Sequence, residues 1–253
     1  IKMFFIYQII IFVILILSPL IIIIRILKNK EDKKRFTEKF SIPSKKRLKG
    51  KLIWFHGASV GEILSIVPLI KNYEKKEYVD QIFITSSTLS SSKVLKKFKF
   101  KKTIHQFYPI DNLYLTNKFL NFWKPSTAIF VDSEIWPGMF RNIKKKKIPL
   151  ILLNARLTKK TFKSVDESLR NLSIKVFRNI TVAYPQNLET KNYLKKLKLN
   201  KIKYLGNLKF AENHEDNLDK INHKLKKEFI KKKIWVASST HRSEELFCAK
   251  AHM

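Results

Sequence analysis

The stretch Met3–Ile24, MFFIYQIIIFVILILSPLIIII, constrains this chain more than any other. It carries no charge and is long enough to cross a hydrocarbon core of about 30 Å as one helix. Arg25, Lys28, Lys30, Lys33, Lys34 and Arg35 follow it, and only Lys2 precedes it. By the positive-inside rule the N-terminus is expected outside and everything after Arg25 in the cytoplasm. A signal peptide is the rival reading, but the run is long and lacks a small-residue cleavage site before the basic flank. A buried core helix is the plainer alternative. Pro19 is tolerated, because neighbouring backbone adjusts around proline in lipid. The expected organisation is an anchor over 1–27 and a basic connector over 28–50.

The remaining chain has room for one large domain or one and a half ordinary ones among its 253 residues. The formal net charge is +32. That excludes an acidic surface and favours anionic partners, such as an anionic membrane surface or nucleic acid. Lysines are scattered through nearly every segment, which fits a compositional bias as well as a dedicated patch. Neither an RRM-type aromatic motif nor a zinc finger is present, so nucleic acid is not expected as a partner. The single cysteine, Cys248, excludes an internal disulfide and any cysteine-based zinc site.

Short apolar runs alternate with helical periods from Lys51 onward. The runs 51–55 (KLIWF), 81–85 (QIFIT), 105–108 (HQFY), 128–131 (AIFV), 148–153 (IPLILL) and 180–184 read as strands. The segments 63–73, 93–98, 112–123 and 187–197 read as helices, with 86–92 a serine-rich turn. This alternation predicts a parallel sheet covered on both faces, a Rossmann-like α/β domain over 51–210. The polar stretch 211–233 reads as a linker, 234–238 as a new strand, and a helix starts at Ser243. Residues 211–253 are therefore expected to hold the linker and the start of a second α/β domain.

Candidate chemistry gathers at strand ends, where open α/β sheets bind ligands. His56–Glu62 (HGASVGE) joins a strand to a helix. Gly61 lets a substrate approach the backbone, and Glu62 in the first helical turn is placed to accept a proton. The same Ser59-x-x-Glu62 spacing is also a capping box, which merely closes a helix end. The loop lacks the Gly-Lys-Ser/Thr ending of a P-loop. Asp132, Glu134 and Trp136 follow the fourth strand, where Pro137 can open the next helix; a helix cap with a packed tryptophan is the plainer reading. Arg156 follows the fifth strand and suits a phosphate or carboxylate. Gly206–Lys209 is a turn bearing a cation. His241 with Glu244 and Glu245 does not have a known zinc spacing.

Taken together, HGASVGE, FYPID (107–111), DSEIWP (132–137), NARLT (154–158), GNLKF (206–210) and ASSTHRSEE (237–245) form an ordered series. It closely resembles the 3-deoxy-D-manno-octulosonic acid (Kdo) transferases of lipopolysaccharide synthesis, over nearly the whole chain. The resemblance implies a GT-B glycosyltransferase with two Rossmann-like domains. It would move Kdo from CMP-Kdo to the lipid A precursor with inversion, needing neither metal nor cofactor, at the inner membrane with a single-pass anchor. It implies Glu62 as general base, with Glu134 and Lys209 stabilising the transition state. Ser59, Gly61, Asp132, Arg156, Asn207, Ser239, Thr240, His241 and Glu244 are the substrate-binding candidates. Departures from the family pattern are SSTLSSS without glycine after the second strand, Asp132 where glutamate is usual, and Tyr184-Pro185-Gln186 in place of small residues. Family members continue beyond the position of Met253 and bind most of the CMP moiety there, so the resemblance implies a C-terminally truncated copy, expected not to turn over alone. Two other readings compete. One is a membrane-tethered basic module without catalysis, which predicts no carboxylates at strand ends. The other is a GT-B enzyme with a different donor.

Overall fold

Each predicted strand alternates its side chains between two apolar layers, and the computed structural model has a helix layer on each face to receive them. It describes residues 2–159, 162, 167–199, 201–208, 229–230, 236–238, 240–241 and 243–252. The chain divides into two compact units, Ile1–Glu212 and Asn213–Met253. In the first, β1 (Leu52–His56), β2 (Gln81–Ser86), β3 (Thr103–Phe107), β4 (Thr127–Val131), β5 (Leu150–Ala155) and β6 (Val182–Pro185) form one parallel sheet. The order is β3-β2-β1-β4-β5-β6. The chain winds outward from β1 in one direction, then returns to its other side at β4. That reversal leaves a crevice beyond the carboxyl ends of β1 and β4, where ligands bind in sheets of this kind.

The helices are α1 (Lys2–Leu27), α2 (Val60–Glu74), α3 (Leu89–Leu95), α4 (Leu113–Trp123), α5 (Pro137–Lys145), α6 (Glu167–Phe177) and α7 (Leu188–Lys196), with α8 (Glu244–His252) in the second unit. Period-two alternation decides which layer each strand residue joins. Leu52, Trp54, Ala128, Phe130, Leu150 and Leu152 pack with residues of α4 and α5. Ile53, Phe55, Ile129 and Val131 pack with Ile63, Ile66 and Ile70 of α2 on the other face. Trp54 centres the first layer, with its ring 5.0 Å from those of Phe119 and Phe130.

Within the basic connector 28–50, Phe36–Phe40 forms a 3-10 turn, and Glu38 is wholly buried. Glu38 accepts from Arg35 Nε at 2.8 Å, Arg35 Nη2 at 3.0 Å and the Phe107 N–H at 2.6 Å. Arg35 also donates to the His105 carbonyl at 2.8 Å and lies over the Phe107 ring. The paired charges cover the β3 edge, which would otherwise offer unpaired backbone to another chain. The serine-rich turn expected over 86–92 needs correction, because residues 89–92 already form the start of α3. Thr88 caps α3 by accepting from the Ser91 N–H, and Ser91 Oγ donates to the Ala58 carbonyl. Ile202 makes a single bridge with Ala183. Of the strand expected over 234–238, residues 236–238 are not in a strand, and 234–235 lie outside the described residues, as does most of the linker expected over 211–233.

Candidate active site

His56 ends β1 at the crevice and is wholly buried. Its ring stacks on Tyr108, with centroids 4.0 Å apart. Nδ1 lies 2.9 Å from Thr85 Oγ1, and Nε2 lies 3.2 Å from Glu134 Oε2. A carboxylate only accepts, so Nε2 carries the proton that faces Glu134. Trp136 Nε1 donates to the same oxygen at 2.9 Å. Burial pushes the Glu134 pKa up, but the hydrogen bond and charge of His56 and the Trp136 bond outweigh it. The carboxyl ends below its ordinary value.

Glu62 lies across the crevice in the first turn of α2. Its Oε2 accepts from the Ala58 N–H at 2.7 Å and its Oε1 from Ser59 Oγ at 2.9 Å. Ser59 Oγ in turn accepts from the Glu62 N–H at 3.3 Å. The capping interaction suggested by the spacing is therefore made, and it holds the carboxylate in one place. Burial raises the Glu62 pKa most. The bonds from Ser59 and Ala58 pull it down, the charges of Glu134 and Asp132 push it up, and the net direction is up. Two neighbouring carboxyls thus have proton affinities pushed apart, the usual mark of divided acid and base roles. A methyl group on Gly61 would meet nothing within 4 Å, so the space beside Glu62 is open.

The ends of β4 and β5 bend sharply. Asp132 has φ 61° and Asn154 φ 52°, a conformation that costs non-glycine residues energy and concentrates at functional sites. Asp132 is thus no helix cap. Its N–H donates to the Leu153 carbonyl at 3.0 Å, its carbonyl accepts from the Arg156 N–H at 3.3 Å, and Ser133 Oγ donates to its Oδ1 at 3.0 Å. The Arg156 side chain is exposed at this rim. Asn154 Oδ1 accepts from the Leu208 N–H at 3.1 Å, drawing the 206–208 turn and Asn207 to the same sheet edge.

The cap of α5 comes from elsewhere. Trp136 occupies the N-cap position without capping through its side chain. Asp111 instead accepts from the Gly138 N–H and the Met139 N–H, both at 2.7 Å. It also accepts from the Tyr7 hydroxyl of α1 at 2.6 Å. Asp111 therefore fixes the end of the loop that carries Glu134.

Ser59, Gly61, Glu62, Asp132, Glu134, Arg156 and Asn207 meet at one sheet edge. Thr240, His241 and Glu244 belong to the second unit, where the His241 N–H donates to Glu244 Oε2 at 2.8 Å and the Glu244 N–H to the His241 carbonyl at 2.8 Å. Lys209 and Ser239 lie outside the described residues. Among the described residues, no three His, Cys, Asp or Glu side chains converge as metal ligands do. The candidate residues missed from the sequence are His56, Thr85 and Asp111. Two of them lie within the motifs HGASVGE and FYPID, and only packing shows that they converge on the Glu134 loop.

The family model described as 3-deoxy-D-manno-octulosonic-acid transferase (kdotransferase) matches residues 34–212. The chain belongs to the Kdo transferase family. A 3-deoxy-D-manno-octulosonic acid transferase from Rickettsia bellii is 36% identical over 94% of this chain and 57% of its own length. A probable mitochondrial 3-deoxy-D-manno-octulosonic acid transferase from Arabidopsis thaliana is 33% identical over 87% of this chain and 51% of its own. The chain thus spans between half and three fifths of the length of these Kdo transferases. Among solved structures, the UDP-GlcNAc 2-epimerase of Neisseria meningitidis is 17% identical over 62% of this chain and 47% of that one. Its TM-score of 0.47 is too slight to carry an argument.

Proposed function

We propose that this chain is the acceptor-side part of an inverting GT-B glycosyltransferase that moves Kdo from CMP-Kdo to the lipid A precursor in lipopolysaccharide core synthesis. The observation that carries the reading is the pair of carboxyls at the β1–β4 crevice with opposed pKa shifts. A sugar hydroxyl is a poor nucleophile and needs a base as it attacks. Glu62, whose proton affinity is raised, takes the hydroxyl proton. The acceptor oxygen forms a bond to the anomeric carbon of Kdo, and the bond from that carbon to the phosphate oxygen breaks, releasing CMP. Glu134 stays ionised, and its charge keeps the affinity of Glu62 high. Family resemblance assigns to Lys209 the offsetting of the leaving phosphate's charge, a role of the oxyanion-stabilising kind. Anionic lipid is the surface partner. We place the anchor in the inner membrane and the domain in the cytoplasm.

The test is Glu62→Gln in a complete enzyme carrying this domain. Gln keeps the capping box, so thermal unfolding should hardly move. Loss of the base lowers turnover by about 10²–10⁴-fold. A folded variant with near-normal turnover would leave Glu62 a helix cap. The basic-module reading gives no reason for opposed carboxyls at a sheet crevice.

A further inference from the structure

The division of labour between Glu62 and Glu134 depends on where the proton of His56 sits, and the core beneath the crevice decides that. His56 Nδ1 faces two oxygens of one residue, Thr85: the hydroxyl at 2.9 Å and the backbone carbonyl at 3.2 Å. The two make opposite demands. A carbonyl only accepts and would draw a proton onto Nδ1, whereas a hydroxyl can donate and leave Nδ1 bare. Turning the ring over is no alternative, because carbon atoms would then face Thr85 and Glu134 and both bonds would be lost. The stack on Tyr108 and the edge of Phe130, 5.0 Å away, hold the ring as it is.

Trp54 breaks the tie. Its Nε1 lies 2.9 Å from Thr85 Oγ1, and the tryptophan is wholly buried. An indole nitrogen only donates, so it occupies one lone pair of the hydroxyl. The hydroxyl proton then has two acceptors in reach, His56 Nδ1 at 2.9 Å and the Phe55 carbonyl at 3.5 Å. The second is at the limit of a hydrogen bond, so the proton goes to Nδ1. The Thr85 carbonyl has another donor in the Gly57 N–H at 3.2 Å and does not depend on His56. One direction therefore runs through the whole chain, from Trp54 to Thr85, from Thr85 to His56 and from His56 to Glu134.

We propose that Thr85 is a positioning residue that, with Trp54 behind it, holds His56 neutral with its proton on Nε2, aimed at Glu134. The part this plays in transfer rests on the Kdo reading. A donor kept on Glu134 stops that carboxylate competing with Glu62 for the acceptor's hydroxyl proton. The charge of His56 adds to its bond only once Nδ1 takes a proton.

The test reads the tautomer and not turnover, so failure here and failure of the Kdo reading are told apart. The whole chain, isotopically labelled at the histidine nitrogens, is studied by NMR in detergent at about pH 8, above the ordinary histidine range. The His56 signals are those lost in His56→Phe. The expected pattern is a bare, pyridine-type Nδ1 and a protonated, pyrrole-type Nε2. Thr85→Val leaves only the carbonyl in front of Nδ1, so Nδ1 is expected to become protonated, whereas Thr85→Ser keeps the parental pattern. Valine also strips the Trp54 indole of its acceptor. If that variant does not fold, Trp54→Phe/Thr85→Val removes donor and acceptor together and carries the same expectation. A protonated Nδ1 in the parent overturns the proposal. So does a bare Nδ1 in a folded valine variant, or a protonated one in Thr85→Ser.

Discussion

His105 tests the electrostatics of the domain in a way that can be worked through in numbers. The ring is buried on β3, with Nδ1 3.0 Å from Arg35 Nη2 and Nε2 2.8 Å from Ser86 Oγ. A guanidinium only donates, so Nδ1 accepts. Burial first, then the charges of Arg35, Lys45 and Lys96, lower the pKa from 6.5 to about 3. The folded state refuses a proton that the unfolded chain accepts, so stability is present above pH 6.5 and drains as pH falls toward 3. At 1.36 kcal/mol per unit, acidification to pH 5 costs about 2 kcal/mol. For a chain of this size that is roughly 4–8 °C in Tm.

Asp111 works in the other direction. Burial, opposed by the bonds from Tyr7, Gly138 and Met139, raises its pKa from 3.8 to about 6. The folded state binds that proton more tightly, so stability is lost as pH rises through 6 and about 1.4 kcal/mol returns between pH 6 and 5. The two groups largely offset each other, so the raw dependence of Tm on pH is shallow and a variant is needed. His105→Asn keeps an acceptor for Arg35 and cannot titrate. Taking detergent-solubilised protein from pH 7 to pH 5, the variant should lose roughly 4–8 °C less than the parent. Equal losses, or a His105 ring titration by NMR centred near 6.5, would refute the reasoning.

Other outcomes follow from single contacts. A methyl group on Gly138 would sit 2.5 Å from the Asp111 carbonyl oxygen, which is backbone and cannot swing aside. Gly138→Ala should therefore cost about 1–3 kcal/mol in denaturant unfolding, whereas Gly61→Ala, with nothing within 4 Å, should not destabilise. His56→Phe keeps the stack on Tyr108 but removes the bond that holds Glu134 low, so the acid limb of the turnover profile in a complete enzyme should move to higher pH; an unmoved limb would mean that His56 does not set Glu134. Deleting residues 1–24 should release much of the protein from membranes, and high salt should wash off the remainder. A deletion that fractionates like the parent in high salt would remove α1 as the anchor.

The parts legible in the sequence were those written in local pattern. Apolar runs such as LIWF and AIFV, each ending in a charged or small-residue motif, mark parallel strands and the edge where Glu62 and Glu134 meet. The packing of segment 28–50 was not legible, because dense charge usually means solvent, whereas Arg35 and Glu38 neutralise each other under cover. SSTLSSS misled because serine is a middling helix former, and here a Thr88 cap and the Ser91 contact with Ala58 override it. The α5 cap was unreadable because Asp111 precedes Gly138 by a whole strand and helix. A lone histidine after a strand reads as core, and only the position of Glu134 gives His56 a further task.

The reversal of strand order at β1 also shapes how the protein is made. β1 can pair with β2, and β2 with β3, as each emerges from the ribosome, but the other edge of β1 waits for β4, roughly seventy residues later. At ordinary elongation rates that delay is about 4–14 s. Through it the nascent chain presents the bare edge of LIWFH, every residue of which is buried in the finished sheet. A strand so apolar with an open edge pairs readily with a neighbouring copy. The species most exposed to aggregation or chaperone capture is thus the half-made chain ending between β3 and β4.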